Sequence, residues 1–389
     1  MHYAAITDRL AHTGGVKWAV HQRCRAMKAE GTDIVELTIG EPDLPPDPQL
    51  IDQCHKAMLA GRTGYSSGRG EKKLLEALAE RYRRRRPDID THNILCFPGT
   101  QTALFATLMG LLGPGDGVLV GDPFYATYEG VIAAPGAHRV SVPLRPENGF
   151  RMRADDLAAA ITPECRVLLL NNPHNPTGAV LDAAEIARIG AVCEKHDLWI
   201  VCDEVYATLI YGNHVFASPF DVAGLEKRTV VVSSISKSHA IPGFRCGWIA
   251  AAEEFCARAL PISETMLFGS QPFLEDATAF ALDTHFPEVD AMKEAYERRA
   301  RALVAGLKGS RKVSARMPEG GMFVMVDVRK TGLTGETFAW KLLEEEGVVT
   351  MPGESFGAGG TGHLRVALTV DEKQITQACK RIARLAERV

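Results

Sequence analysis

The chain predicts an α/β fold, with a mainly parallel sheet in a large domain and a small α+β domain after it. Three observations carry this expectation. At 389 residues the chain exceeds the ~250–300 over which a single core keeps growing, so two domains are the default. Up to about residue 250, short apolar strands alternate with helical segments, as in a parallel sheet covered by crossover helices. From about Phe286 the pattern changes to long helices with a few strands. The expected division is residues 1–45 as an N-terminal arm joining the small domain, 46–285 as the large domain and 286–389 as the small C-terminal domain.

Taken in order, residues 16–30 carry apolar positions at helical spacing and stop at Gly31, a suitable C-cap. The proline-rich stretch from Pro42 to Pro48 reads as an extended arm. A helix over Glu71–Arg86 ends in a basic run, Arg81 to Arg86 interrupted only by Tyr82. Cations there oppose the helix dipole and are expected to face water. The helix Thr100–Leu112 stops at Gly113-Pro114-Gly115-Asp116-Gly117, which matches no phosphate fingerprint and reads as a break before a strand. Strands are expected at Gly117–Val120, Val167–Asn171, Trp199–Cys202 and Thr229–Ser233, with a helix at Ala183–His196. The C-terminal part reads as a helix from Glu288 to Leu307, an alternating strand from Gly320 to Asp327 and a helix from Gly335 to Glu346. A short strand and a terminal helix complete it.

Composition narrows the function classes. The chain is 46% hydrophobic and 24% charged, as in ordinary soluble globular proteins. A net charge of -4 and a pI near 6.3 give no reason to expect nucleic acid or an anionic membrane as partner. Nine cysteines are scattered without a Cys-x-x-Cys pair, so neither zinc nor a disulfide framework is expected. Residues Met1 to Arg9 lack the apolar core of a signal peptide, and no apolar run approaches the length of a membrane span. A reducing cytoplasm is the expected setting.

Four polar clusters fall at expected strand ends, where open parallel sheets bind ligands. Pro98-Gly99-Thr100-Gln101 opens a helix, whose free amides and dipole favour a phosphate. Asn171-Asn172-Pro173-His174-Asn175-Pro176-Thr177-Gly178 presents Asn175 from a turn fixed by two prolines. His174, held between rigid neighbours, reads as a turn residue. Trp199-Ile200-Val201-Cys202-Asp203-Glu204-Val205-Tyr206 ends an apolar strand on an aspartate that must be paired or capping. Val230 to Ser233 lead into Ser234-Ile235-Ser236-Lys237, with Arg245 eight residues on. That combination suits an anionic group beside a reactive amine, whose pKa the nearby cations should lower.

These motifs resemble those of the class I/II aminotransferases, the aspartate aminotransferase superfamily of fold type I enzymes, from about Val16 to Arg384. The resemblance implies a seven-stranded-type sheet, pyridoxal 5'-phosphate as cofactor and a homodimer. It implies that Lys237 bonds the cofactor aldehyde, Asp203 binds the pyridine nitrogen, and Tyr206 and Asn175 bind the ring oxygen. Gly99, Thr100, Gln101, Ser234, Ser236 and Arg245 would surround the phosphate, and Tyr125 would stack on the ring. Tyr65 would reach the phosphate of a neighbouring subunit. Arg365 would grip the substrate α-carboxylate, with Gly40 as a backbone donor and Asn175 beside it.

The reaction then expected is ping-pong transfer of an L-amino acid's α-amino group to a 2-oxo acid, with Lys237 as general base. Thr100 stands where some aspartate-type relatives carry a lysine for the second carboxylate, so dicarboxylate specificity is not implied unless another arginine takes that role. Blocks around Trp18, Met266–Ser270 and Gly320–Leu333 resemble arginine–pyruvate aminotransferases, implying a basic or neutral donor with pyruvate or 2-oxoglutarate as acceptor. Trp18 is expected to pack in the core or a lid. A C–S β-lyase with the same cofactor site is the alternative.

Overall fold

Seven strands form the larger sheet of the computed structural model, which describes residues 1–11 and 18–389. Their order is Ile94–Phe97, Gly247–Ala251, Thr229–Ser234, Trp199–Asp203, Cys165–Asn171, Gly117–Asp122 and His138–Pro143. The last five run parallel to one another. Every residue of Gly117–Asp122, Thr229–Ser234 and Gly247–Ala251 is buried, because helices cover both faces. The edge strand His138–Pro143 is mostly accessible. Gly247–Ala251 is antiparallel to both neighbours, an element absent from the sequence expectation. Only twelve residues separate it from Ser234, which suits an antiparallel return better than a helical crossover.

The smaller sheet has the order Val35–Leu37, Val348–Pro352, His363–Ala367, Phe323–Asp327 and Ser314–Ala315. Val35–Leu37 pairs in parallel with Val348–Thr350, so an N-terminal segment completes a C-terminal sheet. Two strands, rather than one, follow the helix Gly335–Glu346.

Three local expectations are corrected. Pro48 does not extend an arm: it opens the helix Pro48–Leu59, capped by Asp47, whose carboxylate accepts from the Gln49 amide at 2.7 Å. Proline suits that first position because its missing N–H has no partner there anyway. The basic run faces water at Arg83, Arg84 and Arg85, as expected, but not at its last member. The helix ends at Arg83, and the Arg86 guanidinium lies 4.7 Å from the Phe220 ring centre while donating to the Phe220 carbonyl. The strand from Gly320 begins at Phe323 and does not alternate, since Phe323 to Val326 are all buried. Met325 packs into the core of the larger sheet, and Val324 and Val326 into that of the smaller one.

The helix expected from residue 16 is described from Ala19 to Ala29, and residues 16 and 17 lie outside the described residues. Asp182 and Glu185 form a reciprocal capping box on Ala183–Lys195, the signature of a well-defined helix start. All nine cysteines are buried free thiols. No described helix is long and apolar enough to cross a membrane.

Asn172 shows how the asparagine-rich turn is held. Its Nδ2 donates to the Leu181 and Ala217 carbonyls, and its Oδ1 accepts from the Leu181 amide at 2.9 Å. The Asn172→Ala substitution strands these buried groups and is expected to destabilise the protein by about 3 kcal/mol. Urea denaturation should show a lower midpoint; an unchanged midpoint would refute this structural role.

Candidate active site

Strand register brings the polar clusters together. Asn171 lies opposite Asp203 in the sheet, and Ser234 opposite Gly247. Beyond the carboxyl ends of these strands, one pocket is lined by Thr100, Gln101, Tyr125, Asn175, Asp203, Tyr206, Ser234, Ser236, Lys237 and Arg245. All ten are residues the sequence singles out; Leu104, Asn171, Val205 and Pro242 complete the lining and are not among those. Both the Asn172–Pro173 and Asn175–Pro176 peptide bonds are cis, which the sequence did not disclose.

Asp203 is fully buried at the pocket floor. One carboxylate oxygen accepts from the Tyr128 hydroxyl at 2.8 Å and the other from the Val205 amide at 3.2 Å. Burial pushes its pKa up to about 6, against the opposing effect of these two donors. Tyr128 was not anticipated. It opens a short helix three residues after Tyr125, and the two rings meet edge to face at 5.5 Å. Asn171, also not singled out, donates to the Asp203 carbonyl and accepts from the Asn175 amide, so it fixes Asn175 over the floor.

Lys237 donates from Nζ to the Gly40 carbonyl at 2.7 Å. Its pKa is lowered to about 8, chiefly by burial; Arg245 and Arg365 add to that effect and Glu41 opposes it. The expected effect of nearby cations is present, but desolvation, which the sequence does not display, is the larger cause. A larger share of the amine is thus neutral near physiological pH than in an ordinary lysine, and the neutral form is the one a nucleophile or base requires.

At the opposite wall, Gly99 (φ 85°) caps the helix Thr100–Leu111. A Cβ there would collide with the Arg245 guanidinium, so glycine lets that cation approach the helix start. Arg245 donates to the carbonyls of Pro242 and Pro98. Ser234 Oγ accepts from the Ser236 amide, whereas Gln101 Oε1 is engaged by the Thr127 hydroxyl. Thr100 Oγ1 is buried without a partner. An orphaned hydroxyl, a helix N-terminus and an arginine together suit a phosphate.

Arg365 rises from the smaller sheet and is only 2% exposed. It donates to Thr38 O at 2.6 Å and Asn175 Oδ1 at 3.3 Å, and its Nε has no partner among the described residues. Burial lowers its pKa to about 10. A buried guanidinium with no carboxylate in contact among the described residues is a ready site for an incoming anion.

Tyr65, His174 and Trp18 lie outside this pocket. Tyr65 is 87% exposed and packs at 5.2 Å against Phe268, itself 72% exposed; it does not enter its own chain's pocket. His174 hydrogen-bonds Thr177 at 2.7 Å, and burial lowers its pKa to about 4, consistent with a neutral turn residue. Trp18 packs with Ala126, Met351 and Phe356, as a packing tryptophan should.

A family model described as aminotransferase class I and II matches residues 32–382. The chain belongs to this family. It is 42% identical over 385 residues to an arginine–pyruvate transaminase from Pseudomonas aeruginosa, covering 98% of each sequence. An aspartate aminotransferase from Musicola paradisiaca is 33% identical, covering 97% of this chain and 96% of its own. Among solved structures, the aspartate aminotransferase from Rhizobium meliloti superimposes with a TM-score of 0.94 at 27% identity, over 100% of this chain and 99% of the other. The Thermus thermophilus aspartate aminotransferase with maleate gives 0.92 at 29%, over 99% and 100%. The fold is therefore that of the aspartate-aminotransferase-type fold type I enzymes, and the chain is an aminotransferase.

The Tyr128–Asp203 contact yields a titration prediction. A donor to a carboxylate favours its charged form, so Tyr128→Phe should raise the Asp203 pKa above its value of about 6. Carboxyl carbon NMR of the cofactor-free protein should report the upward move. A wild-type value near that of a free aspartate would contradict the burial argument.

Proposed function

We propose that this aminotransferase uses pyridoxal 5'-phosphate to move the α-amino group of a basic or neutral L-amino acid to a 2-oxo acid such as pyruvate or 2-oxoglutarate. The observation that carries the reading is the pairing of a buried, anion-seeking Arg365 with a lysine of lowered pKa above a buried aspartate. The 42% identity to an arginine–pyruvate transaminase supports the donor and acceptor classes.

The residues fit the cofactor group by group. Thr100, Ser234, Ser236 and Arg245 would hold its phosphate, with the backbone at Gly99 and Gln101 completing the wall. Tyr125 would cover one ring face, Asn175 and Tyr206 would bind the ring oxygen, and Lys237 would bond the aldehyde. When bound, the cofactor would supply an electron sink for the charge that develops at the substrate's α-carbon. Asp203 would hold a proton at the ring nitrogen, helped by Tyr128, whose donated hydrogen bond favours the carboxylate. Arg365 would seat the substrate carboxylate through its unpartnered edge and so orient the Cα–H bond, and alignment of this kind lowers reaction barriers. Lys237 Nζ, neutral above about pH 8, would take the α-proton.

Tyr65 and Phe268 form an exposed aromatic pair, suited to contact with a second copy of the chain. In a homodimer, Tyr65 would reach the partner's phosphate. Gly40 uses its carbonyl for Lys237, which leaves its amide for the substrate carboxylate. The proposed domain limits lie near residues 45 and 285, and the proposed location is the cytoplasm.

Mixing the yellow holoenzyme with single L-amino acids, without an oxo acid, tests the reading. Loss of colour with basic or neutral donors is the expected result, and pyruvate release with the colour retained would indicate a β-lyase instead. Lys237→Ala should abolish turnover; near-normal steady-state rates would overturn its role. Arg365→Ala should cost about 1.5–3 kcal/mol in substrate binding, read as a raised KM. Addition of pyridoxal phosphate to the cofactor-free protein should quicken as pH rises through about 8, because only the neutral Lys237 amine attacks. Stopped-flow absorbance measures this, and a flat profile would contradict the lowered pKa.

A further inference from the structure

The Arg365 guanidinium carbon lies 4.1 Å from the Phe323 ring centre and 4.5 Å from that of Phe356. The two rings come from different elements: Phe323 from the strand beside that of Arg365, Phe356 from the turn Gly353–Phe356. Both are buried, and neither is free to swing. Phe323 is wedged against Gly40, where a Cβ would strike the ring, and meets Tyr206 edge to face. Phe356 is backed by Trp18 and Met351, and its carbonyl accepts from the Phe124 amide at 2.7 Å. Thr38 O and Asn175 Oδ1 occupy part of the donor rim. The donors still free, Nε among them, all point within the guanidinium plane.

We propose that Phe323 and Phe356 are specificity-determining positioning residues, a clamp that admits only planar oxyanions to Arg365. This rests on the reading of Arg365 as the substrate-carboxylate site. A carboxylate lies in the guanidinium plane and pairs with two of its donors at once. A tetrahedral sulfonate or phosphonate carries a third oxygen out of that plane, toward a ring face that is electron-rich and held in place. The rings have a second effect: their faces attract the cation, which helps keep Arg365 charged and fixed while it awaits an anion. The clamp thus selects α-amino carboxylic acids over their sulfonic and phosphonic counterparts.

The test uses the full chain loaded with pyridoxal phosphate and two probes of equal length, propionate and ethanesulfonate, as competitors of the amino-acid substrate. Wild-type protein should bind propionate more tightly. In Phe323→Leu and Phe356→Leu, each removing one ring face, that preference should shrink by about tenfold, the ratio that corresponds to a ~1.4 kcal/mol clash of the third sulfonate oxygen with one ring. The KM for the amino acid should rise more than kcat falls. Phe356→Tyr, which keeps the ring, should restore the preference, and serves as a second probe if a leucine variant fails to fold. An unchanged propionate-to-ethanesulfonate ratio in the folded leucine variants would overturn the clamp while leaving Arg365 as the carboxylate site. Failure of both anions to compete in the wild type would overturn the reading of Arg365, and the clamp with it.

Discussion

Burying the Arg365 guanidinium without an anion in contact sets the terms for much of the surrounding architecture. A lone charge withdrawn from water costs several kcal/mol even after the protein relaxes, and the surroundings recover part of that through many modest contacts. The Thr38 carbonyl and Asn175 amide oxygen take two donors, and two phenyl rings take up the flanks. Those partners come from the N-terminal segment, the asparagine-rich turn and the C-terminal sheet. The cation can be buried only when all three regions meet, so assembly of the two sheets and completion of the site are one event.

The pocket floor follows a different rule. Asn171, Asp203 and Ser234 are fixed by strand register, and a slip of one residue would turn each to the other face of the sheet. Continuous burial of these strands makes such a slip costly and gives the floor its rigidity. Burial also sets the protonation chemistry, raising Asp203 and lowering Lys237 in pKa. The same cause pushes both groups toward their neutral forms; the Tyr128 and Val205 donors restore part of the carboxylate character at Asp203, and Glu41 opposes the shift at Lys237.

Much of this was legible in the chain. Apolar runs ending in Asn171, Asp203 and Ser234 signalled strands whose ends carry chemistry, and ten of the fourteen residues lining the pocket are legible in the sequence, Tyr125 only through the family resemblance. What escaped were residues whose importance depends on the third dimension. Tyr128 looks like any aromatic at a helix start until its hydroxyl meets Asp203. Phe323 lay within a conspicuous Gly-Gly-Met-Phe run, but its contact with Arg365 joins neighbouring strands 42 residues apart in sequence. Phe356 carried no signal, since phenylalanine in a glycine-rich turn is a common packing choice. The strand Gly247–Ala251 escaped because five apolar residues without alternation fit several assignments.

One short segment links the two cationic groups. Thr38 O receives Arg365 and Gly40 O receives Lys237, so the docking points are two residues apart, at most about 7 Å along the chain. That spacing acts as a tether. Any shift of this stretch of backbone moves both docking points together, so the lysine and the arginine hold their mutual placement through three residues that carry no charge themselves.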